Sequence, residues 1–374
     1  MTRGKTMLLE EVCNVEYGTR VVQKRDGGRI YPVYGGGGAT FKMDVFNRED
    51  RFVVARFGMS EGCTRFVTGK FFLNDSGLTV SPKNGALVQR FLDYQLLFKN
   101  DDIFALGKGA AQKNLDVSAF RGLSLFVPSK TEEQQRIVGI LDEAFAGIAT
   151  AKANAEKNLQ NARAIFDDHL DFVFARRGDW WAEKRLEQIG RTQTGSTPMT
   201  ADAENYGNFI SFVKPGDFKS DGSLDYAKNG LSEQGLAGAR KVAAGSVLMV
   251  CIGATIGKCG YCDRDITTNQ QINALVPTDG SAYRFIYYQM LTESFQRRVI
   301  HASGQATLPI INKSRWSVLP LWLPPTVAEQ KRIADKFDAL SAETKHLESL
   351  YQRKLTALDD LKKSLLHQAF SGHL

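Results

Sequence analysis

The stretch LSLFVPSKTEEQQRIVGILDEAF, which begins at Leu123, occurs a second time as LPLWLPPTVAEQKRIADKFDAL from Leu319. The copies align without a gap at a spacing of 196 positions, the difference between Ile137 and Ile333. Stacked repeat proteins have periods of roughly 20 to 50 residues, so this spacing indicates instead a duplicated unit, a globular domain followed by a helix. Among the identical positions in the two copies are Leu125, Pro128, Glu133, Gln134, Arg136, Ile137 and Asp142, and Leu321, Pro324, Glu329, Gln330, Arg332, Ile333 and Asp338.

Each copy continues into an apolar pattern with steps of three and four, which predicts an amphipathic helix of roughly 40 residues, about 60 Å long. A helix of that length cannot bury its stripe against a small domain. We therefore expect the two helices to pack antiparallel as a coiled coil, with an ordinary bundle inside one fold as the alternative. The stripe positions are Ile137, Leu141, Ala144, Ile148, Ala151, Ala155, Leu159, Ala162, Ile165 and Val173, and Ile333, Phe337, Leu340, Thr344, Leu347, Tyr351, Leu355, Leu358, Leu361 and Ala369.

The predicted fold class is α+β: two globular β-rich domains joined by two long antiparallel helices that form a coiled-coil spacer, with a pseudo-twofold internal repeat. The globular segments start alike, LLEEVCNVEYGTR from Leu8 and RLEQIGRTQTGSTP from Arg185, so that Gly18 matches Gly195. Valine, phenylalanine and isoleucine runs broken by glycines indicate strands in both. The predicted boundaries are 1–122 and 179–318 for the globular domains, and 123–178 and 319–374 for the helical segments.

Composition indicates a cytoplasmic protein. The 374 residues are 43% hydrophobic, with no apolar run of membrane-spanning length and no apolar signal-peptide core near the N-terminus. Five irregularly spaced cysteines argue against a secreted disulfide framework. Cys259 and Cys262 form a C-x-x-C pair, but a structural zinc site needs a second ligand pair that the sequence lacks nearby, so we expect no metal.

Positive charge is concentrated outside the predicted helices. The whole chain carries +7, whereas residues 131–176 contain eight acids and five bases, and residues 326–371 contain seven acids and eight bases. The helices together therefore carry −2 and the remainder +9. This distribution favours a polyanionic partner for the globular segments.

Two glycine motifs resemble enzyme signatures without completing them. Residues 58–62 spell G-x-S-x-G around Ser60, but the following residues predict a strand where the nucleophile elbow requires a helix. The repeat equivalent has Thr255 at that position, so a glycine-rich turn explains both copies. Residues 253–258 are one residue too short between glycines for a phosphate-binding loop, and Cys259 stands where that loop needs serine or threonine. We predict no catalytic residue and no cofactor.

Arginine, lysine, asparagine and glutamine beside predicted turns are the candidates for DNA contact. Arginine and lysine suit guanine and phosphates, while asparagine and glutamine suit adenine. Any one of them is more often a solvated surface residue, so the prediction concerns the set. The candidates are Lys24, Arg25, Arg29, Arg56, Arg65, Lys70, Lys108 and Lys113 in the first segment, and Lys214, Lys219, Arg240, Lys241, Lys258, Asn269, Gln270, Gln271 and Gln305 in the second.

On these motifs the chain resembles the DNA specificity subunits of type I restriction-modification systems. The matching elements are PSKTEEQQRI and PPTVAEQKRI with their long helices, YPVYGGGG in the first domain, TGSTP and TTNQQI in the second, and the GATIGK turn. Together they cover essentially the whole chain.

The resemblance implies two target-recognition domains, each reading one half of a split double-stranded DNA sequence. It also implies that the helices separate the domains and hold two modification (methyltransferase) subunits and, through these, restriction (endonuclease/translocase) subunits. Methylation would then be performed by the partners, and this chain would be non-catalytic. We expect Glu133, Gln134 and Arg136, with Glu329, Gln330 and Arg332, to lie near domain or partner contacts, or to have capping or core roles.

Two rival functions remain open at this stage. The first is an enzyme, either a hydrolase using Ser60 or a DNA methyltransferase, although the Asn-Pro-Pro or Asp-Pro-Pro motif of such methyltransferases is missing. The second is a coiled-coil scaffold without a DNA role. Binding of S-adenosylmethionine would identify the methyltransferase, and salt-dependent DNA binding would exclude the scaffold.

Overall fold

The computed structural model describes residues 4–304, 308–371 and 373–374. The chain divides into two compact units, residues 1–156 with 353–374 (unit 1) and residues 157–352 (unit 2). Each unit combines a β-rich globular part with sections of two long helices. This arrangement confirms the predicted α+β fold class and the internal repeat.

Unit 1 is built on a six-stranded sheet, and its helices are short apart from the one that leaves it. Its strands are β1 (Gly4–Leu8), β2 (Cys13–Tyr17), β3 (Tyr31–Tyr34), β4 (Lys42–Met43), β5 (Arg48–Ala55), β6 (Thr64–Leu73), β7 (Gly77–Pro82), β8 (Gly107–Lys108), β9 (Asn114–Leu115) and β10 (Ser124–Pro128). Its helices are α1 (Leu9–Val12), α2 (Gln23–Asp26), α3 (Gln89–Phe98), α4 (Asn100–Ala105), α5 (Val117–Arg121) and the start of α6 (Thr131–Ala175).

The six-stranded sheet of unit 1 has the order β2-β7-β5-β6-β3-β4. Its neighbours are antiparallel except β3 and β6, which pair in parallel with Val33 opposite Phe72. A separate antiparallel ribbon joins β1 to β10. Because β10 directly precedes α6, this ribbon fixes the start of the long helix on the globular part of unit 1.

Unit 2 contains two four-stranded sheets and the remaining short helices. Its strands are β11 (Ala182–Arg185), β12 (Gly190–Thr194), β13 (Tyr206–Val213), β14 (Gly230–Leu231), β15 (Lys241–Val242), β16 (Ser246–Val250), β17 (Cys259–Cys262), β18 (Ile266–Thr268), β19 (Ile272–Pro277) and β20 (Pro320–Leu323). Its helices are α7 (Leu186–Ile189), α8 (Glu233–Ala237), α9 (Tyr283–Leu291), α10 (Glu293–Ala302), α11 (Lys313–Ser317) and the start of α12 (Val327–Phe370).

The sheets of unit 2 have the orders β12-β19-β16-β17 and β14-β13-β18-β15. As in unit 1, the strand before the long helix, here β20, pairs antiparallel with the first strand of the unit, β11. The segments predicted as helical from residues 123 and 319 therefore each begin with a strand, and the helix follows after a proline turn.

The long helices run antiparallel inside each unit. In unit 1, Lys152 of α6 forms an ion pair with Asp359 of α12 at 2.7 Å. In unit 2, Arg163 of α6 forms an ion pair with Glu348 of α12 at 3.1 Å. Exposed pairs of this kind contribute little to stability, so the apolar stripe between the helices supplies most of the association energy.

The predicted stripe is correct for most positions and wrong at two. Ile165 is 46% exposed and Leu361 is 47% exposed. After Ala162, which is buried, the buried side advances in steps of four through Phe166 and Leu170, so Ile165 falls on the neighbouring face. A helix has 3.6 residues per turn, so the next buried position can follow after three or after four residues. The surface against which the helix packs decides which of the two is buried, and the sequence pattern contains no information about that surface.

The repeated glutamine fastens each long helix to its globular part, an arrangement we call the glutamine joint. Gln134 accepts a hydrogen bond from the Val88 backbone N–H at 2.7 Å and donates to the Ala86 carbonyl at 3.0 Å. In unit 2, Gln330 accepts from the Ala282 N–H at 2.8 Å. Val88 and Ala282 are the N-cap residues of α3 and α9, where a helix leaves N–H groups unpaired. The motif glutamine is thus a buried structural residue in both copies.

The repeated aspartate forms a second shared contact. The Tyr94 hydroxyl donates to Asp142, and the Tyr288 hydroxyl donates to Asp338. Burial, and secondly the carboxylate, raise the pKa of Tyr94, which keeps the phenol protonated as the donor. This contact accounts for the aspartate that both copies carry.

Replacement of Gln134 with alanine is expected to lower the free energy of unfolding by about 2 kcal/mol, because a buried N–H and a buried carbonyl would lose their partner. Urea denaturation of the purified chain measures this change. Gln135→Ala is the matched control, since Gln135 is exposed on the next position of the same helix. Equal stability of the two variants would contradict the structural role of the glutamine joint.

Candidate nucleic-acid interface

In unit 2, the motifs TGSTP and TTNQQI come together at the ends of β12 and β18. Gly195 N–H donates to the Ile272 carbonyl at 3.0 Å, and Ser196 N–H donates to the Thr268 carbonyl at 2.9 Å. The side chain of Thr194 donates to Asn273 at 2.8 Å. Two segments more than 70 residues apart in the sequence therefore form one surface.

Arg240 completes this surface. Its backbone N–H donates to the Ser196 hydroxyl at 3.0 Å, and its guanidinium donates to the Thr194 carbonyl at 2.8 Å. The Arg240 side chain is exposed. We call residues 194–198, 240 and 269–271 the loop cluster of unit 2.

The three amide residues of this cluster have different positions. Asn269 is buried, accepts from the Gln271 N–H at 3.1 Å and donates to the Gln271 side chain at 2.9 Å. These bonds shape the turn. Gln270 is exposed, and its side-chain carbonyl accepts from the Thr197 hydroxyl. Gln270 and Arg240 are thus the predicted residues of the cluster that face solvent.

The GATIGK turn adjoins the loop cluster through the backbone. Cys251 N–H donates to the Gln271 carbonyl at 2.8 Å, and Gly253 N–H donates to the Pro309 carbonyl at 3.0 Å. Lys258, which ends the turn, donates to the Phe218 carbonyl at 2.8 Å. Gln305, another predicted residue, lies outside the described residues.

The other predicted lysines of unit 2 differ in their contacts. Lys241 forms an ion pair with Asp265 at 2.5 Å, and this contact lowers the pKa of Asp265. Lys214 donates to the Asn229 side chain at 3.1 Å. Lys219 is exposed and follows Phe218.

In unit 1, the loop at Gly18 is held by main-chain hydrogen bonds like those that hold the loop at Gly195 in unit 2. We call each of these two hydrogen-bonded glycine loops a loop seat. Gly18 N–H donates to the Gly77 carbonyl at 3.1 Å, and Thr19 N–H donates to the Leu73 carbonyl at 3.0 Å. The Asn74 side chain accepts from the Ser76 N–H at 2.9 Å, as Asn269 does from Gln271. The scaffold is therefore repeated, whereas the side chains that it presents differ.

Four predicted residues of unit 1 lie on the strands β6 and β8 or on the loops after β5 and before β9. Arg65 donates to the carbonyls of Gly36 and Gly37, and burial lowers its pKa. Arg65 therefore holds the glycine tract of residues 35–38 through two main-chain carbonyls. The remaining three also have contacts within the chain: Arg56 lies 4.5 Å from the Phe57 ring centroid, Lys113 lies 4.0 Å from that of Phe104, and Lys108 forms an ion pair with Asp116 at 2.6 Å.

The other four lie on α2, between α2 and β3, and on β6. Arg25 bonds to Asp26 at 2.9 Å, the Arg29 N–H donates to Asp44 at 2.8 Å, and Lys70 lies 4.7 Å from the Phe46 ring centroid. Lys24 is exposed. Sequence reasoning missed four exposed apolar side chains in this part of the sequence, because an apolar pattern does not mark which residues face outward: Val22, Ile30, Val45 and Phe46.

The enzyme-like motifs have structural explanations. Ser60 lies in a turn, and the strand β6 follows it, as predicted. Cys259 and Cys262 belong to different core clusters on opposite faces of β17, so they cannot ligate one ion. Burial raises the pKa of Cys259 to about 12 and that of Cys262 to about 11, which keeps both as thiols. Within the described residues, no group of three or more histidine, cysteine or acidic side chains forms a metal site.

A family model described as the type I restriction modification DNA specificity domain matches residues 4–160 and 179–356. The chain belongs to this family. The two matches coincide with the two copies of the repeat, so each copy corresponds to one specificity domain.

Curated relatives of this specificity-domain chain are type I specificity subunits. The HindI specificity subunit of Haemophilus influenzae is 27% identical over 201 residues, which cover 52% of this chain and 42% of that protein. The MjaIX specificity subunit of Methanocaldococcus jannaschii is 28% identical over 162 residues, 41% of this chain and 36% of that protein. The matched stretch thus spans less than half of these relatives' length.

Solved structures show the same fold. A chain from a study of complex assembly and conformational transition of the type I R-M system superposes with a TM-score of 0.77 at 16% identity, covering 100% of both chains. The HsdS subunit from Thermoanaerobacter tengcongensis gives a TM-score of 0.57 at 16% identity, covering 99% of this chain and 97% of that one.

Among the described helices, none combines the length and the apolar character that a membrane-spanning helix needs.

Proposed function

We propose that this chain is the non-catalytic DNA-specificity subunit of a type I restriction-modification complex. Each unit would read one half of a bipartite double-stranded target, and α6 and α12 would set the spacer between the halves. The helices would also dock two modification subunits, and restriction subunits would join through these. The predicted domain boundaries are part of this proposal.

The observation that supports it is the repeated loop seat with different exposed side chains. Gly18 and Gly195 occupy equivalent seats, yet arginine and glutamine face solvent in unit 2 where unit 1 presents other residues. An arginine can donate two hydrogen bonds to guanine, and a glutamine can pair with both polar atoms of the adenine edge. A common scaffold with dissimilar surfaces is what two unlike half-sites require.

Chemistry on the DNA would belong to the partners. Methylation of a base requires its extrusion from the duplex into an enzyme pocket. This chain would supply sequence recognition, and its exposed candidates Arg240 and Gln270 lie on loops, from which base edges in a groove can be reached. Phosphate contacts from the surrounding lysines would add affinity without selectivity.

Combined replacement of Arg240 and Gln270 with alanine is expected to weaken binding to the cognate target by roughly 5- to 160-fold, which corresponds to about 1–3 kcal/mol for a lost base-edge contact. The loss should concern only one half-site, which competition with single-base variants of each half measures. Arg264→Ala removes an exposed arginine of unit 2 outside the loop cluster and serves as the control. Relaxed selectivity at both half-sites would contradict the division between the units.

Fluorescence anisotropy with the complete modification complex over a salt series tests the function as a whole. The target sequence comes from the methylated bases of the host genome. We expect affinity for that target to exceed affinity for unrelated DNA, and both to fall with salt. Absence of DNA binding would favour a scaffold, and S-adenosylmethionine binding by this chain alone would overturn its non-catalytic role.

A further inference from the structure

Two arginines of unit 2 converge on one tryptophan. The guanidinium of Arg177 lies 4.3 Å from the ring centroid of Trp322, and that of Arg298 lies 4.6 Å from it. All three residues line a surface cavity of about 300 Å³. Cation–π contacts of this kind stabilise each guanidinium against the ring but leave its N–H groups available.

The tryptophan is held firmly in this position. Its backbone N–H donates to Gln289 at 2.9 Å, and its carbonyl accepts from the same side chain at 3.0 Å. It also pairs with Glu183 in the β11–β20 ribbon. The arginines therefore contact a fixed surface and not a mobile loop.

Neither guanidinium has a hydrogen-bonded or ion-paired partner among the residues that the structure describes. By contrast, Arg284 of the same unit is paired with Asp338. Burial lowers the pKa of Arg298, while the charge of Glu183 raises it and that of Arg177 lowers it. Two guanidinium groups held against one ring, neither of them ion-paired within the described residues, can together bind an anionic group of another molecule.

A second cavity of about 330 Å³ shares Arg177 and extends the cationic surface. It is lined by Trp180, which is 66% exposed, and Phe172, which is 50% exposed, lies beside it under Arg176. Further cations of this cavity likewise have no ion pair within the described part of unit 2. We call the whole set the arginine–tryptophan face: Phe172, Arg176, Arg177, Trp180, Arg298, Trp322, Arg332 and Lys336.

We propose that the arginine–tryptophan face docks an acidic segment of a protein partner, with a carboxylate bound by Arg177 and Arg298 and an apolar side chain against Trp180. The inference rests on the proposed function, because the modification subunit would be that partner. Exposed tryptophan and arginine together are typical of the residues that dominate binding energy in protein interfaces. A planar guanidinium matches a carboxylate with two parallel hydrogen bonds.

A protein partner fits this face better than DNA. Trp322 lies on β20, which pairs with β11. The loop cluster of unit 2 begins at the end of β12, so α7 and the length of β12 lie between β11 and this cluster in the chain. Asp171, Glu293 and Glu329 also line the cavities, so a single carboxylate placed between Arg177 and Arg298 meets less repulsion there than a continuous phosphate backbone would. In unit 1 the repeat counterpart of Trp322 is Phe126, and no described cation lies over its ring.

The test compares binding of the modification subunit by the full-length chain and by an Arg177→Gln/Arg298→Gln variant, using surface plasmon resonance at fixed salt. We expect the variant to bind roughly tenfold or more weakly, as for loss of charge-assisted hydrogen bonds. Arg191→Gln/Arg264→Gln removes two exposed arginines of unit 2 outside both cavities and should bind as the parent does. An Arg177→Lys/Arg298→Lys variant keeps the charge without the planar fork and should recover binding only in part.

Two readouts separate this inference from the proposed function. If the glutamine variant assembles normally but its complex loses DNA affinity with a shallower salt dependence, the face binds phosphates and the inference is overturned. Unchanged assembly and unchanged DNA binding, or full recovery by the lysine pair, overturns it as well. If the parent chain binds neither modification subunit nor DNA, the proposed function itself fails.

Discussion

Removal of seven residues from each long helix is expected to change the DNA spacer that the complex accepts by about three base pairs and to leave the half-site bases unchanged. Seven residues correspond to about 10.5 Å of helix, and base pairs are stacked about 3.4 Å apart. Two complete turns preserve the phase of the apolar stripe, so the remaining helix faces still match. Affinity for a target with the original spacer should fall roughly a thousandfold, toward nonspecific binding.

The positions of the two ion pairs along α6 and α12 determine which seven residues should be removed from each helix. The ion pair Lys152–Asp359 lies within unit 1 and Arg163–Glu348 within unit 2, and residues 154–160 of α6 and 351–357 of α12 lie between these positions in the sequence. Sequencing of the methylated bases reports both spacer and half-sites. Deletion in α6 alone is the control, because it leaves the stripe of α12 without its partner and should impair assembly for any target. A change in the half-site bases themselves would show that the helices do more than set a distance.

Replacement of Gly18 or Gly195 with alanine is expected to destabilise the corresponding loop seat by about 3 kcal/mol or more. A Cβ atom at Gly18 would lie 1.9 Å from the Asn74 carbonyl oxygen, and one at Gly195 would lie 2.2 Å from that of Asn269. Both obstacles are backbone atoms in hydrogen-bonded turns, so neither can move without breaking the seat. Target binding should be lost at the half-site read by the altered unit.

Gly37→Ala and Gly216→Ala are the matched controls, since a Cβ at either position meets no atom within 4 Å. Thermal denaturation and DNA titration of all four variants give the comparison. If Gly18→Ala and Gly195→Ala were as stable as their controls, the close backbone approach would not be a requirement of the fold.

The sequence predicted the duplication, the long helices and the matching glycines because these depend on local pattern or on comparison of the chain with itself. It left the role of Gln134 open among capping, core and partner contacts. The structure resolves this choice, since Val88 lies 46 positions from Gln134 and the hydrogen bond between them depends on tertiary packing. A residue type and its spacing contain no information about such a partner.

The same reason limits prediction of the interface. Arg65, Lys108 and Lys241 all looked like available cations in the sequence, yet each has a partner in the chain. The arginine–tryptophan face shows the opposite error, because Arg177 and Arg298 drew no attention in the sequence and lie 121 positions apart. Availability of a charge depends on what packs around it, and only the folded chain provides that.

The glutamine joint uses only main-chain atoms of the globular part as its partners. Mutations can therefore change the side chains of the solvent-facing loops without disturbing the attachment of the globular part to its long helix. Recombination of the globular parts between copies of the gene would then produce new target specificities from existing domains. Selection can then diversify the targets that are recognised while the assembly of the complex remains unchanged.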